Sequence, residues 1–240
     1  MEPYLHKQGF YSASGTVIQR RISPKGDMYL NLYLKGLGLL WATAPGSAKG
    51  KVRFGGGTEP LVWGNFNIYK GKDRFFLKSV EVHDDMWAIR KDRNALRLAA
   101  RMVKHIKQNL PLDQPDDKLL AILYWNLWLI TRGCVSEAIE WRFLWKWLTL
   151  WGLAPSLLYC AGCGRRLKKG YWCSEGIYCS DCNISHDCFV IEPEILHILL
   201  KTAKVSKSDF IALYSDLEIN KCNIWRTATG KLLTILRTKS

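Results

Sequence analysis

Hydrophobic and polar positions follow two different rules along this chain. Over residues 1–82, β-branched and aromatic residues recur in short alternating runs punctuated by glycine. Residues 15–20, 28–34, 39–43, 61–69 and 75–82 carry the period of two expected of strands. Lys70-Gly71-Lys72-Asp73, between the last two runs, predicts a hairpin turn, and residues 44–60 form one long loop containing Gly55-Gly56-Gly57. Five short strands and one long loop predict a small barrel. An oligonucleotide-binding (OB) barrel fits that count, and a five-stranded SH3-like barrel fits it nearly as well.

From residue 84 the period changes to that of helices. Asp84 and Asp85 stand where a helix N-terminus favours acids, and Leu96, Ala99, Ala100, Val103 and Ile106 recur at helical spacing before Pro111 and Pro115. Residues 116–132, closed by Gly133, and 136–151, closed by Gly152, are apolar over wide surfaces and read as central bundle helices. Pro193 opens a helix to residue 203, and residues 208–217 and 221–237 supply two more. The predicted class is α+β: an N-terminal OB-like barrel over 1–82, then a helical domain over 83–240 interrupted by an insertion at about 157–188.

That insertion holds the strongest local motif. Cys160-Ala161-Gly162-Cys163 and Cys179-Ser180-Asp181-Cys182 are two CxxC knuckles with the spacing of a four-cysteine structural zinc site. Two thiolates per knuckle grip one ion, and Gly162 and Gly164 permit the tight turn. Four thiolates leave no open coordination position, so the expected Zn²⁺ is structural, stapling a short, zinc-ribbon-like insertion onto the helical body. A thioredoxin-type reading needs a βαβ unit, which the pattern lacks. Cys173, His186 and Cys188 lie close enough to compete but read as non-ligands. Eight cysteines without a visible secretory segment point to metal more than to disulfides.

Charge sharpens the picture. Thirty-five Lys and Arg against 21 Asp and Glu give a formal charge of +14, which implies a polyanionic partner. The first 82 residues concentrate cations at Arg20, Arg21 and Lys25, at Lys49, Lys51 and Arg53 in the Gly-rich loop, and at Lys70, Lys72 and Arg74. With Tyr29, Tyr33, Trp41 and Phe54 as candidate stacking rings, this is the composition of a single-strand-binding barrel, although any one of these rings is more often core. A second stripe, Arg90, Arg93, Arg97, Arg101 and Lys104, repeats every three or four residues and so shares one helix face, with Lys107 beyond it. Arg165 and Arg166 follow the first knuckle, where they offset thiolate charge or touch phosphate. The tryptophans of the central helices, from Trp125 to Trp151, read as a Trp-rich core, or alternatively as a groove for a partner's apolar tail.

Catalytic signatures are missing. Gly46-Ser47-Ala48-Lys49-Gly50-Lys51-Val52 has neither the spacing nor the hydroxyl of a P-loop, and HExxH and GxSxG do not occur. The longest apolar stretch, residues 119–130, is too short for a bilayer, which needs about 20 residues. A cytoplasmic, non-catalytic nucleic-acid-binding protein is therefore expected, with no membrane partner. A zinc-dependent nuclease and an RNA-binding or ribosome-associated zinc-ribbon protein are the competing classes.

The order of parts resembles the bacterial RecO recombination mediator family. Arg53-Phe54-Gly55-Gly56-Gly57-Thr58-Glu59-Pro60, continuing to Ile68-Tyr69-Lys70-Gly71, is similar to that family's basic loop and following aromatic strand. Leu150-Trp151-Gly152-Leu153-Ala154-Pro155, then Leu158-Tyr159-Cys160-Ala161-Gly162-Cys163-Gly164, is similar to its entry into the zinc knuckle. The resemblance covers nearly the whole chain. It implies binding to single- and double-stranded DNA, ATP-independent annealing of strands coated by single-strand-binding protein (SSB), and assistance to RecA loading together with RecR. The acidic C-terminal tail of SSB would enter a hydrophobic helical groove. The place implied is the bacterial cytoplasm, at the nucleoid.

Overall fold

In the computed structural model, the described residues are 7–24, 26–47, 54–183, 188–215 and 224–239. Five antiparallel-rich strands open the chain: β1 (Gly9–Ile22), β2 (Met28–Leu34), β3 (Gly38–Ala44), β4 (Trp63–Lys70) and β5 (Phe75–Asp84). They close into a barrel in the order β1-β2-β3-β5-β4. β1 is the long strand that makes closure possible. Its first half pairs with β4, from Gly9↔Lys70 to Thr16↔Trp63, and its second half pairs with β2, from Gly15↔Leu34 to Ile22↔Met28. A bulge between Val17 and Gln19 marks the change of partner and bends the strand. A short parallel contact, Ala42↔Phe75 and Thr43↔Phe76, seals the other side.

Alternation decides what fills the barrel. Met28, Leu30, Leu32 and Leu34 of β2 point inward and meet Val17, Leu40, Phe66, Ile68, Phe75 and Leu77. β1 begins six residues earlier than its apolar run predicts. Ser12 and Ser14 weaken the local strand signal, and pairing to β4 supplies the missing stabilisation.

The expected single basic helix is two. α1 (Trp87–Lys91) stops at Asp92, which is extended (φ −106°, ψ 121°), and α2 (Arg93–Asn109) starts after it. The Asp92 carboxylate accepts from the N–H groups of Asn94 and Ala95 at 2.7 and 2.8 Å, so Asp92 is the N-cap of α2 rather than one acid on a continuous basic face. α3 (Asp117–Thr131) is fastened to the barrel at its start. Tyr33 Oη donates to the Asp116 carbonyl at 2.7 Å, and the Gly36 N–H donates to Asp117 Oδ1 at 2.7 Å. Gly38 makes that approach possible: its φ is +79°, and a Cβ there would sit 2.5 Å from the Gln114 carbonyl oxygen.

The chain divides into two compact units, residues 1–127 and 128–240. The first contains the barrel, α1, α2 and most of α3. In the second, α4 (Glu137–Leu150) packs on α7 (Ile224–Lys239), with α5 (Pro193–Lys204) and α6 (Lys207–Ser215) beside them in sequence. Trp141, Phe143, Leu144 and Trp147 of α4 are fully buried, and Trp141 lies 5.5 Å from Trp225 of α7 and 5.2 Å from Trp145. The tryptophans of α4 are thus chiefly a core. Between α4 and α5 the chain forms a three-stranded sheet in the order β7-β6-β8, from β6 (Gly170–Trp172), β7 (Ile177–Tyr178) and β8 (Phe189–Ile191). Its buried residues Trp172, Ile177 and Ile191 give the cysteine-rich lobe a small apolar floor. Strands of two or three residues leave no periodicity to read, and the sequence did not predict them.

Candidate nucleic-acid interface and metal centre

On the first unit, β1 and α2 border a cleft of about 510 Å³. Ile18, Pro60, Leu61, Leu96, Ala100 and Val103 contribute its apolar lining. Arg20, Arg90, Lys104 and Lys107 bring four cations to it. Lys107 Nζ donates to Gln19 Oε1 at 2.9 Å, spanning from helix to barrel, and Arg20 pairs with Glu59 at 2.5 Å with both side chains about one third exposed. Such an exposed pair is worth about 0–1 kcal/mol, so Arg20 can exchange partners cheaply.

Arg90 is the most constrained of the four. Its side chain is 19% exposed, and its Nη2 donates to the Asp85 carbonyl at 2.5 Å. Its Nε and Nη1 are buried without an acceptor. A buried charged donor left unsatisfied costs on the order of 1–3 kcal/mol.

The structure therefore brings Arg20, Arg90 and Lys104 together. Arg93 and Arg97 are exposed on α2, and Arg101 is half-buried. Because α1 and α2 are separate, Arg90 does not continue their stripe; it reaches the same cleft from α1. Lys70, Lys72 and Arg74 belong to the β4–β5 hairpin, at the opposite end of β1 from Arg20, since Gly9 pairs with Lys70. Arg21 lies over the Trp41 ring at 5.4 Å, beside the exposed Tyr29. Tyr33 is fully buried and Phe54 packs against the barrel core, so neither is a stacking platform. Lys25, Lys49, Lys51, Arg53 and His186 lie outside the described residues.

Sequence reasoning missed Gln19 and the floor. Leu96 and Ala100 share the apolar helical spacing of α2, yet Leu96 is 41% exposed and Ala100 is also exposed. Periodicity reports an apolar face; it does not say whether that face is covered.

In the second unit the two knuckles meet. The sulfur atoms of Cys160, Cys163, Cys179 and Cys182 all lie within 4.8 Å of one another. Cys163 Sγ and Cys179 Sγ are 3.8 Å apart. A tetrahedral four-thiolate site with metal–sulfur bonds of ~2.3 Å needs sulfur separations of about 3.8 Å, so this donor set is compatible with zinc. The backbone supports thiolates here. Gly162 N–H and Cys179 N–H donate to Cys160 Sγ at 3.4 and 3.3 Å. Burial opposes ionisation of Cys160, but backbone hydrogen bonds from Cys163, Cys179 and Gly162 outweigh it and hold the thiol at about 6.

Arg165 is committed to this lobe. Its Nε–H donates to Cys163 Sγ at 3.4 Å and its Nη2 to Asp181 Oδ2 at 2.6 Å, which draws the Asp181 carboxyl below its usual range. Arg166 is exposed. Cys173 and Cys188 form a disulfide with a Cα–Cα distance of 4.4 Å, which corrects the expectation that the cysteines serve metal rather than disulfides. The pair continues the β6–β8 register one step beyond Trp172↔Phe189, where opposed side chains approach closely. Neither sulfur belongs to the four-cysteine cluster. Among the described residues no helix is long and apolar enough to cross a membrane.

Known proteins resemble this chain along most of its length. The family model described as "Recombination protein O C terminal" matches residues 90–206. A protein named DNA repair protein RecO from Caldanaerobacter subterraneus subsp. tengcongensis is 26% identical over 230 residues, 94% of this chain and 90% of its own length. RecO proteins of Acetivibrio thermocellus and Desulforamulus reducens are 27% and 29% identical, over 69% and 72% of this chain and 70% and 68% of their own lengths. The matched segment contains Arg90, the cationic helix α2 and all four clustered cysteines. Residues 90–206 thus match the RecO C-terminal family model, and the chain as a whole is similar to proteins named DNA repair protein RecO.

Proposed function

We propose that this protein is a DNA-binding recombination mediator acting in recombinational repair, with no catalytic centre of its own. The observation that carries the reading is the cleft between β1 and α2, where four cations from the barrel and two helices surround an apolar floor. The strand order β1-β2-β3-β5-β4 suits an OB-fold, the barrel class that carries single strands in cationic grooves.

Annealing by such a protein is electrostatic. Cations on the cleft and along α2 neutralise two repelling backbones while the bases remain free to pair, and nucleotide hydrolysis is not required. The cleft's cationic rim and apolar floor also suit the acidic C-terminal tail of SSB, in place of the groove expected among the tryptophans. RecR is the second protein partner in this reading, and RecA is served indirectly. Zn²⁺, held by Cys160, Cys163, Cys179 and Cys182, supplies cross-linking of the lobe and no chemistry. The protein works in the bacterial cytoplasm at the nucleoid.

Binding curves on matched DNA and RNA strands over a salt series test this reading. The expected result is DNA binding at least as tight as RNA binding, with affinity falling steeply as salt rises. Selective RNA binding through 2′-hydroxyl contacts would replace it with the ribosome-associated alternative.

A further inference from the structure

The outer face of the barrel carries an aromatic row that the basic cleft does not include. Tyr11 and Ala13 of β1 pack against the barrel core, so Phe10, Ser12 and Ser14 face outward. Phe66 and Ile68 of β4 and Phe75 and Leu77 of β5 point inward, which turns Asn65, Asn67, Tyr69 and Phe76 outward. The register Phe10↔Tyr69↔Phe76 then sets three rings side by side across three strands. Phe10 is 76% exposed, and its ring centroid lies 4.9 Å from that of Tyr69. One exposed ring is ordinary on a protein surface; a row of rings bordered by unpaired cations is not.

The cations come from the hairpin that joins Tyr69 to Phe76. The Gly71 N–H donates to the Arg74 carbonyl at 2.9 Å and closes the turn next to the row. The turn carries Lys70, Lys72 and Arg74, and Lys78 Nζ stands over the Tyr69 ring at 5.3 Å. Lys72, Arg74 and Lys78 are exposed, and among the described residues none of the four cations forms an ion pair. Asp73 is the acid set among them, and Glu81 lies further along β5, opposite Asn65. Between the rings and Glu81 the face is polar and uncharged. Ser14 Oγ donates to Asn65 Oδ1 at 2.7 Å, and Asn67 Nδ2 donates to Ser79 Oγ at 2.9 Å.

We infer that this face is a second binding surface for single-stranded DNA, with a base on Phe10 and the backbone phosphates on the hairpin cations and Lys78. A single strand is a polyanion that also offers flat apolar faces, so it uses the rings and the surplus charge together. A duplex keeps those faces in its stack and would engage the cations alone. An acidic peptide likewise leaves Phe10 in water. A bilayer suits phenylalanine beside lysine, but here it would meet the Ser and Asn side chains that continue the face. The inference rests on the nucleic-acid reading above and extends it. Phe10 and Arg20 stand near opposite ends of β1, up to about 33 Å apart at ~3.3 Å per residue. One chain thereby holds one strand at the cleft and a second at the ring row.

The test uses the full chain carrying Lys104→Glu and Lys107→Glu, which weaken the cleft and leave the ring row to be read by itself. Oligothymidylate, an abasic strand of equal length and a blunt duplex are titrated into it at low salt. Phe10→Ala, Phe10→Trp, and Lys72→Glu with Arg74→Glu are then added in turn, with circular dichroism to confirm the fold. Phe10→Ala should weaken oligothymidylate binding by about tenfold and leave the abasic strand and the duplex unchanged. Phe10→Trp should retain binding, and the charge reversal should weaken all three ligands. On the unaltered chain, oligothymidylate containing 5-iodouracil should photocross-link at Phe10 or Tyr69. Oligothymidylate affinity that is indifferent to the Phe10 ring, or cross-links at neither ring, would overturn the inference. Phosphatidylglycerol vesicles bound through Phe10, with strand binding unaffected by its loss, would replace DNA with a membrane. If the unaltered chain binds oligothymidylate and the cleft variant does not, the ring row falls and the nucleic-acid reading stands. If the unaltered chain binds no strand, both fall.

Discussion

Gln19 and Lys107 meet across the rim of the basic cleft, with Lys107 Nζ donating to Gln19 Oε1 at 2.9 Å. One residue comes from the barrel strand β1 and the other from the last turn of α2. The contact joins two basic regions that lie far apart in sequence, and it neutralises no charge. Lys107 therefore keeps its full positive charge at the cleft.

Reversing that charge should act on DNA and spare the fold. Lys104→Glu and Lys107→Glu are surface changes, expected to alter stability by less than about 0.5 kcal/mol. In a salt titration the slope of log affinity against log salt should fall by about 0.7–0.9 for each phosphate contact removed. An unchanged slope would place the phosphates elsewhere.

Arg90 gives the same pairing of effects from a half-buried position. Its Nε and Nη1 are buried without acceptors. Arg90→Met keeps the apolar stem of the side chain and removes those donors together with the Nη2 bond to the Asp85 carbonyl, so the two effects offset and stability should stay within about 1 kcal/mol. DNA affinity should fall. Chemical denaturation and strand binding on the same preparation check both halves.

Arg165 separates two roles that the sequence left open. Bound to Cys163 Sγ and Asp181, it supports the knuckle rather than reaching for phosphate. Arg165→Ala should weaken metal retention by about 10–100-fold in a chelator competition, the usual scale for an outer partner of a ligand. DNA affinity should change little.

The disulfide and the cluster should come apart experimentally. Cys173 and Cys188 close a loop across a sequence separation of 15, and opening a loop of that size costs up to about 3 kcal/mol. Mild reductant, or Cys173→Ser with Cys188→Ser, should lower the thermal stability of the lobe and leave about one bound metal per chain. Loss of metal on reduction would show that these sulfurs take part in binding it.

Much of this was legible in the residues. The alternation of Met28, Leu30, Leu32 and Leu34 fixes both strand β2 and its inward face. The CxxC spacing locates four sulfurs that the fold brings within 4.8 Å. Other features were hidden for physical reasons. Asp92 looks like one acid in a basic helix, and only its local hydrogen bonds reveal that it starts a new one. Leu96 has the spacing of a core residue, but burial depends on what covers a face, which is set by distant chain. The disulfide partners show no motif because their proximity comes from β6 and β8 pairing, not from spacing. Gly38 reads as a weak strand position, whereas its positive φ and close approach to Gln114 require the missing side chain.

The central claim, that the cationic cleft makes this protein a mediator, is tested most directly by annealing two complementary SSB-coated oligonucleotides without ATP. Annealing by the unaltered chain is expected, and its loss when Arg90→Met, Lys104→Glu and Lys107→Glu are combined in a protein that remains folded and metal-loaded. No annealing by the unaltered, DNA-binding chain, or undiminished annealing by the triple variant, would contradict it.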